Sequence, residues 1–223
     1  MNAASSRRRL AVALVGALVL GGSLIGASRL GTEEGAASPS EPLPSILDGI
    51  PQSGAVLGSP KAPVTLVEYA DLQCPYCAEW THRAFPALVE RYVRQGKVRI
   101  VFRGLAFLGP DSDRALRTAV AAGRENRLWN VVEGLYQRQS HENSGWVTEA
   151  LLDELAGPRA LASRNAPWVV AEMANSSRAA RAAGITGTPA FQIGKTGGRL
   201  QTVPLSSLGP EGIQPAIEAM LAS

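Results

Sequence analysis

Short apolar segments and helix-spaced segments alternate in the first half of the chain. Residues 64–69 are largely apolar and partly β-branched, which is typical of a strand that is buried on both faces. Apolar side chains then recur at helical spacing over residues 75–95, and residues 98–103 form a second strand-like run. Strand, helix and strand together predict a βαβ unit.

A long helical pattern follows over residues 111–183. One of its apolar stripes consists of Leu128, Val131, Val132, Leu135 and Tyr136. Residues 190–193 and 200–203 flank a Gly-rich turn and predict an antiparallel hairpin, and a last helix is expected within residues 210–221. The pattern therefore predicts one α/β domain over residues 55–223.

The N-terminal part of the chain differs in composition from the rest. Residues 1–30 contain four arginines and no acidic residue, and they include an apolar stretch at 10–28, which predicts a secretory signal or a membrane anchor helix. Residues 31–54 are rich in Gly, Ser, Pro and Ala, which predicts a flexible tether. We therefore expect the domain to lie outside the cytoplasm, in the periplasm or cell envelope, either anchored or released by signal cleavage.

The charge of the chain is concentrated in its first residues. The formal net charge is +3, and four of the positive charges belong to residues 1–30, so the remainder carries a net charge of −1. A nucleic-acid-binding domain needs a basic patch on its folded part. The charge distribution therefore argues against a nucleic-acid partner.

Cys74 and Cys77 are the only cysteines of the chain, in the sequence Cys-Pro-Tyr-Cys. They lie where the first strand gives way to the first helix, and a cysteine at a helix N-terminus has its thiolate stabilised by the helix dipole and by unpaired N–H groups. Pro75 suits the first helical position because it has no N–H to leave unpaired. Cys74 is thus the predicted nucleophile, with Cys77 within disulfide reach one turn later.

Two other uses of the cysteine pair are less well supported by the sequence. A structural disulfide over so short a loop would stabilise the fold by only about 2 kcal/mol, through the loop-entropy effect. A zinc site would need His82 and His141 as further ligands, and these two are not at the spacing of a zinc motif. Redox chemistry is therefore favoured, and we expect no metal.

Two segments resemble the DsbA-like branch of the thioredoxin superfamily. They are residues 68–77, Glu-Tyr-Ala-Asp-Leu-Gln-Cys-Pro-Tyr-Cys, and residues 184–191, Gly-Ile-Thr-Gly-Thr-Pro-Ala-Phe. The helical stretch between them is similar in extent and place to the helical subdomain of that family. The resemblance implies an α/β, thioredoxin-like fold with an inserted helical subdomain at about 111–183, preceded by the signal or anchor helix and the tether.

The resemblance also implies which residues meet the substrate. The family's cis-proline falls on Pro189, which follows Thr188, and a proline there leaves neighbouring backbone groups free to pair with an incoming chain. Together with Pro75 and Tyr76, these residues are expected to bind substrate. The alternative is an ordinary trans proline at the start of a strand.

Glu68 stands six residues before Cys74, where the superfamily often carries a buried acidic side chain beneath the disulfide. Buried in an apolar strand, its carboxyl would have a raised pKa and could hold or relay a proton for Cys77. The alternative is a glutamate at the sheet edge that faces water. Asp71, in the turn between strand and helix, is expected to cap or turn the backbone.

The residues and the resemblance together predict an exported thiol–disulfide oxidoreductase. It would exchange the Cys74–Cys77 disulfide with cysteines of secreted proteins, with oxidation as the favoured direction. A reductase or isomerase, and a non-catalytic peptide-binding module on the same fold, stay open as alternatives. Tyr76 leaves the oxidising power open, because it replaces the histidine of the best-known oxidase pattern and cannot lend a positive charge to Cys74.

The expected partners are unfolded or reduced secreted proteins, together with a membrane re-oxidant or reductant. The resemblance implies that a re-oxidant would be quinone-linked. A monomer is expected, because residues 31–54 are too short to supply the N-terminal dimerisation domain typical of isomerases. We expect no cofactor, since the sulfur pair itself carries the two electrons.

Overall fold

The computed structural model describes residues 45–223. The predicted signal or anchor helix at 1–30 and the first part of the predicted tether, 31–44, lie outside the described residues. Within residues 45–223, every helix is too short or too polar to cross a bilayer.

One mixed sheet forms the centre of the domain. Its strands are β1 Gln52–Ser53, β2 Val56–Leu57, β3 Val64–Asp71, β4 Val98–Leu105, β5 Ala190–Lys195 and β6 Gln201–Val203. They lie in the order β1-β2-β4-β3-β5-β6. β3 and β4 are parallel, as the predicted βαβ unit requires, and all other neighbours are antiparallel, including the predicted hairpin β5–β6.

Helices cover the sheet and fill the interval between β4 and β5. They are α1 Pro75–Arg83, α2 Phe85–Leu88, α3 Pro110–Ala122, α4 Leu128–Gln137, α5 Glu149–Ala156, α6 Pro158–Ser163, α7 Pro167–Ala182 and α8 Gln214–Ala222. The run from α3 to α7 occupies nearly the same residues as the helical stretch expected from the sequence.

β3 is one of the two central strands, and all eight of its residues are buried. Successive side chains of a strand point to opposite faces of the sheet. Leu66 and Ala70 join the main hydrophobic core, whereas Val67 and Tyr69 pack against Ala180 of α7. Glu68 lies between Leu66 and Ala70 and shares their face of the sheet, so its carboxyl points towards the main core.

The helix after the cysteines is interrupted at Pro86, as a proline inside a helical pattern requires. α1 ends at Arg83, and α2 begins after Ala84 with Pro86 in its first turn. Since proline has no N–H, the carbonyl of His82 has no donor four residues later, and the ring crowds that carbonyl. The chain continues from α2 into a π-helical turn, Val89–Val93.

Aromatic side chains fix α1 against the sheet. Trp80 is fully buried, and its ring centroid lies 4.7 Å from that of Phe191 on β5. Phe85 stacks on Trp129 of α4, with the ring centroids 5.4 Å apart. Burial of large aromatic surfaces stabilises a fixed orientation. The N-terminus of α1, which carries Cys74, is therefore held in a rigid setting.

Residues 45–54, the last part of the predicted tether, pack on the domain. Leu47 and Ile50 are buried in the main core. Arg94 donates hydrogen bonds to the carbonyl oxygens of Ile46 and Asp48, each at 2.8 Å. The composition of this segment is that of a linker, but two well-placed apolar side chains are enough to hold it in place.

Candidate active site

The two predicted site segments meet at the end of the sheet where β3 terminates and the neighbouring β5 begins. Cys74 is the N-cap residue of α1, and Pro75 occupies the first turn. The Thr188–Pro189 peptide bond is cis. The Sγ of Cys74 lies 3.4 Å from the carbonyl oxygen of Thr188, so the fold joins residues that are 114 positions apart.

The two cysteines, both free thiols in this structure, differ in access to solvent. Cys74 keeps 5% of its surface exposed, and Cys77 is completely buried. Beside them Pro75 is exposed, and Tyr76 is 62% exposed. A thiol on another protein can therefore reach Cys74 alone, over a surface formed by Pro75 and Tyr76.

The pKa of Cys74 is lowered from 9.0 to about 6. The largest cause is a hydrogen bond from the Cys77 thiol, and the backbone N–H groups of Cys77 and Tyr76 at the start of α1 add to it, while partial burial opposes it. At neutral pH the accessible sulfur is mostly a thiolate, which is the nucleophile and the better leaving group.

The pKa of Cys77 is shifted in the opposite direction. Burial raises it well above its usual value, and the Cys74 sulfur raises it further through their shared hydrogen bond and its charge. Cys77 thus stays a thiol while Cys74 is ionised. The pair titrates as a coupled unit with one proton retained on the inner sulfur.

Glu68 lies beneath the cysteines in β3 and is buried. Burial raises the pKa of its carboxyl from 4.5 to about 8. Its Oε1 atom has no hydrogen-bond partner within residues 45–223. The structure therefore places Glu68 in the interior rather than at a wet edge, as a carboxyl that is protonated at neutral pH and close enough to influence Cys77.

Asp71 organises the loops around the cysteines, and the sequence indicated only a capping or turn role for it. Its buried carboxylate accepts hydrogen bonds from the backbone N–H groups of Gln73, Phe107 and Leu108 and from the hydroxyl of Ser112. One side chain thus joins the turn before Cys74 to the β4–α3 loop and to α3. The only sequence signal was its position in the turn.

Tyr136 was predicted only as part of an apolar stripe. Its ring is buried, and its hydroxyl donates a hydrogen bond to the Asp71 carbonyl oxygen at 3.2 Å. Burial raises the pKa of this hydroxyl, and the charges of Cys77 and Glu68 add to the shift. Spacing along a helix cannot distinguish such a tyrosine from an ordinary core residue.

His82 and His141 lie on the exposed surface of α1 and in the α4–α5 loop. No group of three metal-binding side chains occurs in residues 45–223. The structure thus does not bring the histidines into a common cluster with the cysteines.

Known proteins of similar sequence also contain this type of domain. Residues 52–204 match the model of a family described as thioredoxin. The chain is 36% identical over 98 residues to the probable disulfide bond formation protein D of Bacillus cereus, covering 43% of this chain and 45% of that protein. It is 33% identical over 103 residues to disulfide bond formation protein D of Bacillus subtilis, covering 45% and 46%. The matches thus span about half the length of these curated relatives.

Solved structures share the fold over a longer stretch. Oxidised BdbD from Bacillus subtilis superposes with a TM-score of 0.65 at 23% identity, covering 78% of this chain and 97% of that one. A thioredoxin-like oxidoreductase from Silicibacter pomeroyi superposes with a TM-score of 0.60 at 26% identity, covering 75% and 92%. The shared fold thus extends over about three quarters of this chain.

Proposed function

The chain belongs to the thioredoxin family, and from that membership we propose that it is a protein thiol–disulfide oxidoreductase that oxidises the cysteines of other proteins. One observation carries the proposal. Cys74, which keeps a small exposed surface, has its pKa lowered to about 6, while its fully buried partner Cys77 has its pKa raised. A pair with one stabilised thiolate favours its reduced form, and this makes the disulfide an oxidant.

The reaction begins with the protein as a Cys74–Cys77 disulfide. A client thiolate attacks the Cys74 sulfur, the S–S bond breaks, and its electron pair goes to Cys77, which then takes up a proton. A second client thiolate attacks the client sulfur of the mixed disulfide and expels Cys74 as a thiolate. The client gains one disulfide, and the protein is left with two reduced cysteines.

Glu68 is the proposed proton donor for the first step. The Cys77 thiolate forms in the interior, where burial disfavours a charge. A carboxyl with a pKa of about 8 is protonated at neutral pH and can supply the proton without opening the site to water.

Thr188 and Pro189, together with Pro75 and Tyr76, are the proposed client-binding residues. Pro189 has no N–H, so an extended client chain can approach the carbonyl of Thr188 beside the Cys74 sulfur. Exposed Tyr76 offers an apolar and aromatic surface to an unfolded client.

The proposed setting is extracytoplasmic, in the periplasm or cell envelope, with the domain anchored or released by signal cleavage. The arginines and the apolar stretch of residues 1–30 support export, and the names of the Bacillus relatives agree with disulfide formation. The proposed partners are reduced secreted proteins and a membrane re-oxidant that is quinone-linked. The domain is proposed to act as a monomer.

The reduction potential of the Cys74–Cys77 pair tests the direction of the reaction. We expect a value near that of DsbA, about −120 mV, and net oxidation of a reduced, unfolded client protein. A value near that of thioredoxin, about −270 mV, would instead assign the domain as a reductase. Absence of any exchange would leave a peptide-binding module.

Single cysteine variants test the division of roles. Cys74→Ser should abolish turnover, because the accessible sulfur is lost. Cys77→Ser cannot form the internal disulfide, so its Cys74 thiolate should instead attack disulfides of oxidised client proteins. The resulting mixed disulfides should accumulate and be visible on non-reducing gels, because no inner thiol can attack Cys74 and expel the client. Full activity of the Cys74→Ser protein would contradict the mechanism.

A further inference from the structure

A cleft of about 650 Å³ lies next to the catalytic turn and has no role in the mechanism so far. It begins at Gln73 and Pro75 and is closed on its other side by the loop between α4 and α5, from Gln139 to Glu142. Thr188 and Pro189 are not among its lining residues. The cleft is therefore separate from the cis-proline side of the site, although both begin beside Cys74.

The α4–α5 loop is attached directly to the backbone of the catalytic turn. The side-chain amide of Gln139 donates to the carbonyl oxygens of Leu72 and Cys74, at 3.1 and 3.3 Å. Gln73 is buried, accepts a 2.6 Å hydrogen bond from the backbone N–H of Asn143 and donates to the Asn143 side chain at 3.1 Å. These bonds hold the far wall of the cleft at a constant distance from the nucleophile.

The lining of the cleft is polar and carries one negative charge. Ser140, His141 and Glu142 are exposed, and their side chains make no hydrogen bond or ion pair within the part of the chain that the structure describes. The lining includes no lysine or arginine. Neighbouring Arg138 turns away and pairs with Glu154 at 2.6 Å. Glu142 is thus the one carboxylate of this lining, available to a cationic group.

We propose that this cleft is a second binding site for the client polypeptide, which favours a lysine or arginine near the reacting cysteine. The inference rests on the proposed function. When a client sulfur bonds to Cys74 and the electron pair of the old disulfide passes to Cys77, the client chain lies over Pro75. An extended chain advances about 3.3 Å per residue. Pro75, which follows Cys74, and Glu142 line the same cleft, so the inference places residues two to four positions from the client cysteine beside Glu142.

Two synthetic peptides test the inference. Each contains one cysteine, with either lysines or glutamates two to four positions from it, and reacts with the oxidised full-length protein under second-order conditions. Each rate is divided by the rate of the same protein with uncharged 2-mercaptoethanol. We expect the lysine peptide to react faster, and Glu142→Gln to lower the lysine-to-glutamate rate ratio about two- to fivefold, the range expected for an exposed ion pair.

Glu125→Gln is the matched control. Glu125 is also exposed, and it follows the C-terminal end of α3, about 20 Å along the helix from the site. The Glu125→Gln substitution removes the same charge but should leave the lysine-to-glutamate rate ratio unchanged. The difference between the variants should shrink in 0.5 M salt, since salt screens exposed charges. Differences in thiol reactivity between the two peptides cancel, because the wild type and each variant are measured with the same two peptides.

The outcomes separate this inference from the proposed function. An equal lysine-to-glutamate ratio in the wild type and in Glu142→Gln would overturn the cleft as a charge-selective site, while exchange with 2-mercaptoethanol would leave the oxidoreductase intact. Failure of the oxidised protein to react with either peptide or with 2-mercaptoethanol would overturn both. An equal loss in Glu125→Gln would show a general effect of net charge and would also overturn the cleft.

Discussion

Cys74 and Cys77 are three positions apart, yet their surroundings shift their pKa values in opposite directions. Cys74 lies at the end of a helix with backbone donors around its sulfur, and Cys77 lies one turn inside the core. Glu68 adds a third group beneath them, with its pKa raised by burial. At neutral pH the negative charge is thus on Cys74, and the protons are on Cys77 and Glu68, as disulfide exchange requires.

Replacement of Glu68 by Gln should stabilise the protein increasingly as the pH rises from 4.5 to about 8. Below about pH 4.5 the carboxyl is protonated in the folded and unfolded states alike. Between pH 4.5 and about 8 only the unfolded state releases the proton, so the free energy of unfolding falls as the pH rises. Gln has no such penalty, and its advantage should grow over this interval to the order of a few kcal/mol.

Urea unfolding of the disulfide forms at pH 5, 7 and 8.5 measures this difference without titration of the cysteines. Glu125→Gln, at an exposed position, should show no such pH dependence. A constant difference between Glu68→Gln and wild type across the three pH values would contradict a raised pKa for Glu68. The same variant should slow exchange at neutral pH, if Glu68 supplies the proton for Cys77.

The elements around the site are joined through one carboxylate. The turn after β3, the β4–α3 loop and α3 each donate a hydrogen bond to the Asp71 carboxylate, and Tyr136 of α4 donates one to the Asp71 carbonyl oxygen. A buried carboxylate without a cation is stable only if its oxygens accept several hydrogen bonds. The position of Cys74 therefore depends on contacts between elements that are distant in the sequence.

Asp71→Ala should lower the free energy of unfolding by at least about 2 kcal/mol, because it leaves several buried donors unpaired. Asp113→Ala is the matched control, since Asp113 lies in the first turn of α3 and pairs with Arg117 in an exposed position. That substitution should change the free energy by about 1 kcal/mol or less. Urea denaturation measures both changes. Similar decreases in the free energy of unfolding in the two variants would contradict a stabilising role for the hydrogen bonds to Asp71.

At the scale of the whole molecule, the fold closes the site by bringing back a distant part of the chain. Helices α3 to α7 separate β4 from β5, and the antiparallel pairing of β3 with β5 returns Pro189 to the side of Cys74. The segment ahead of β1 completes the other end of the domain, where Leu47 enters the core and Arg94 binds the carbonyls beside it. The folded unit thus includes residues that precede the sheet.

Leu47→Ala should destabilise the domain by about 2 kcal/mol or more, as expected for removal of a buried leucine side chain. Val170→Ala, at an exposed position on α7, should change stability by no more than about 0.5 kcal/mol. Thermal or urea unfolding of the two variants measures both effects. Equal stabilities of Leu47→Ala and wild type would show that the segment ahead of β1 does not contribute to the stability of the domain.

Local patterns were sufficient to predict many elements. The apolar run of β3, the helix broken at Pro86, and the hairpin β5–β6 each depend on neighbours in the sequence, where periodicity and the chemistry of proline act. The two short strands β1 and β2 were missed, because two residues have no period and their pairing with β4 is a contact between distant segments. The packing of Leu47 and Ile50 was also not predicted, because the composition around them is that of a linker and their contacts are with distant segments.

The amino-acid sequence by itself determined the chemistry that this protein carries: a cysteine pair at the head of a helix, an acidic residue six positions earlier and a proline in a second motif. Tertiary structure alone decided how those groups behave. Burial of Cys77 and Glu68, the network on Asp71 and the cleft beside Gln139 arise from packing between distant elements. Desolvation and long-range hydrogen bonds depend on what surrounds a group in space, and a local pattern does not contain that information.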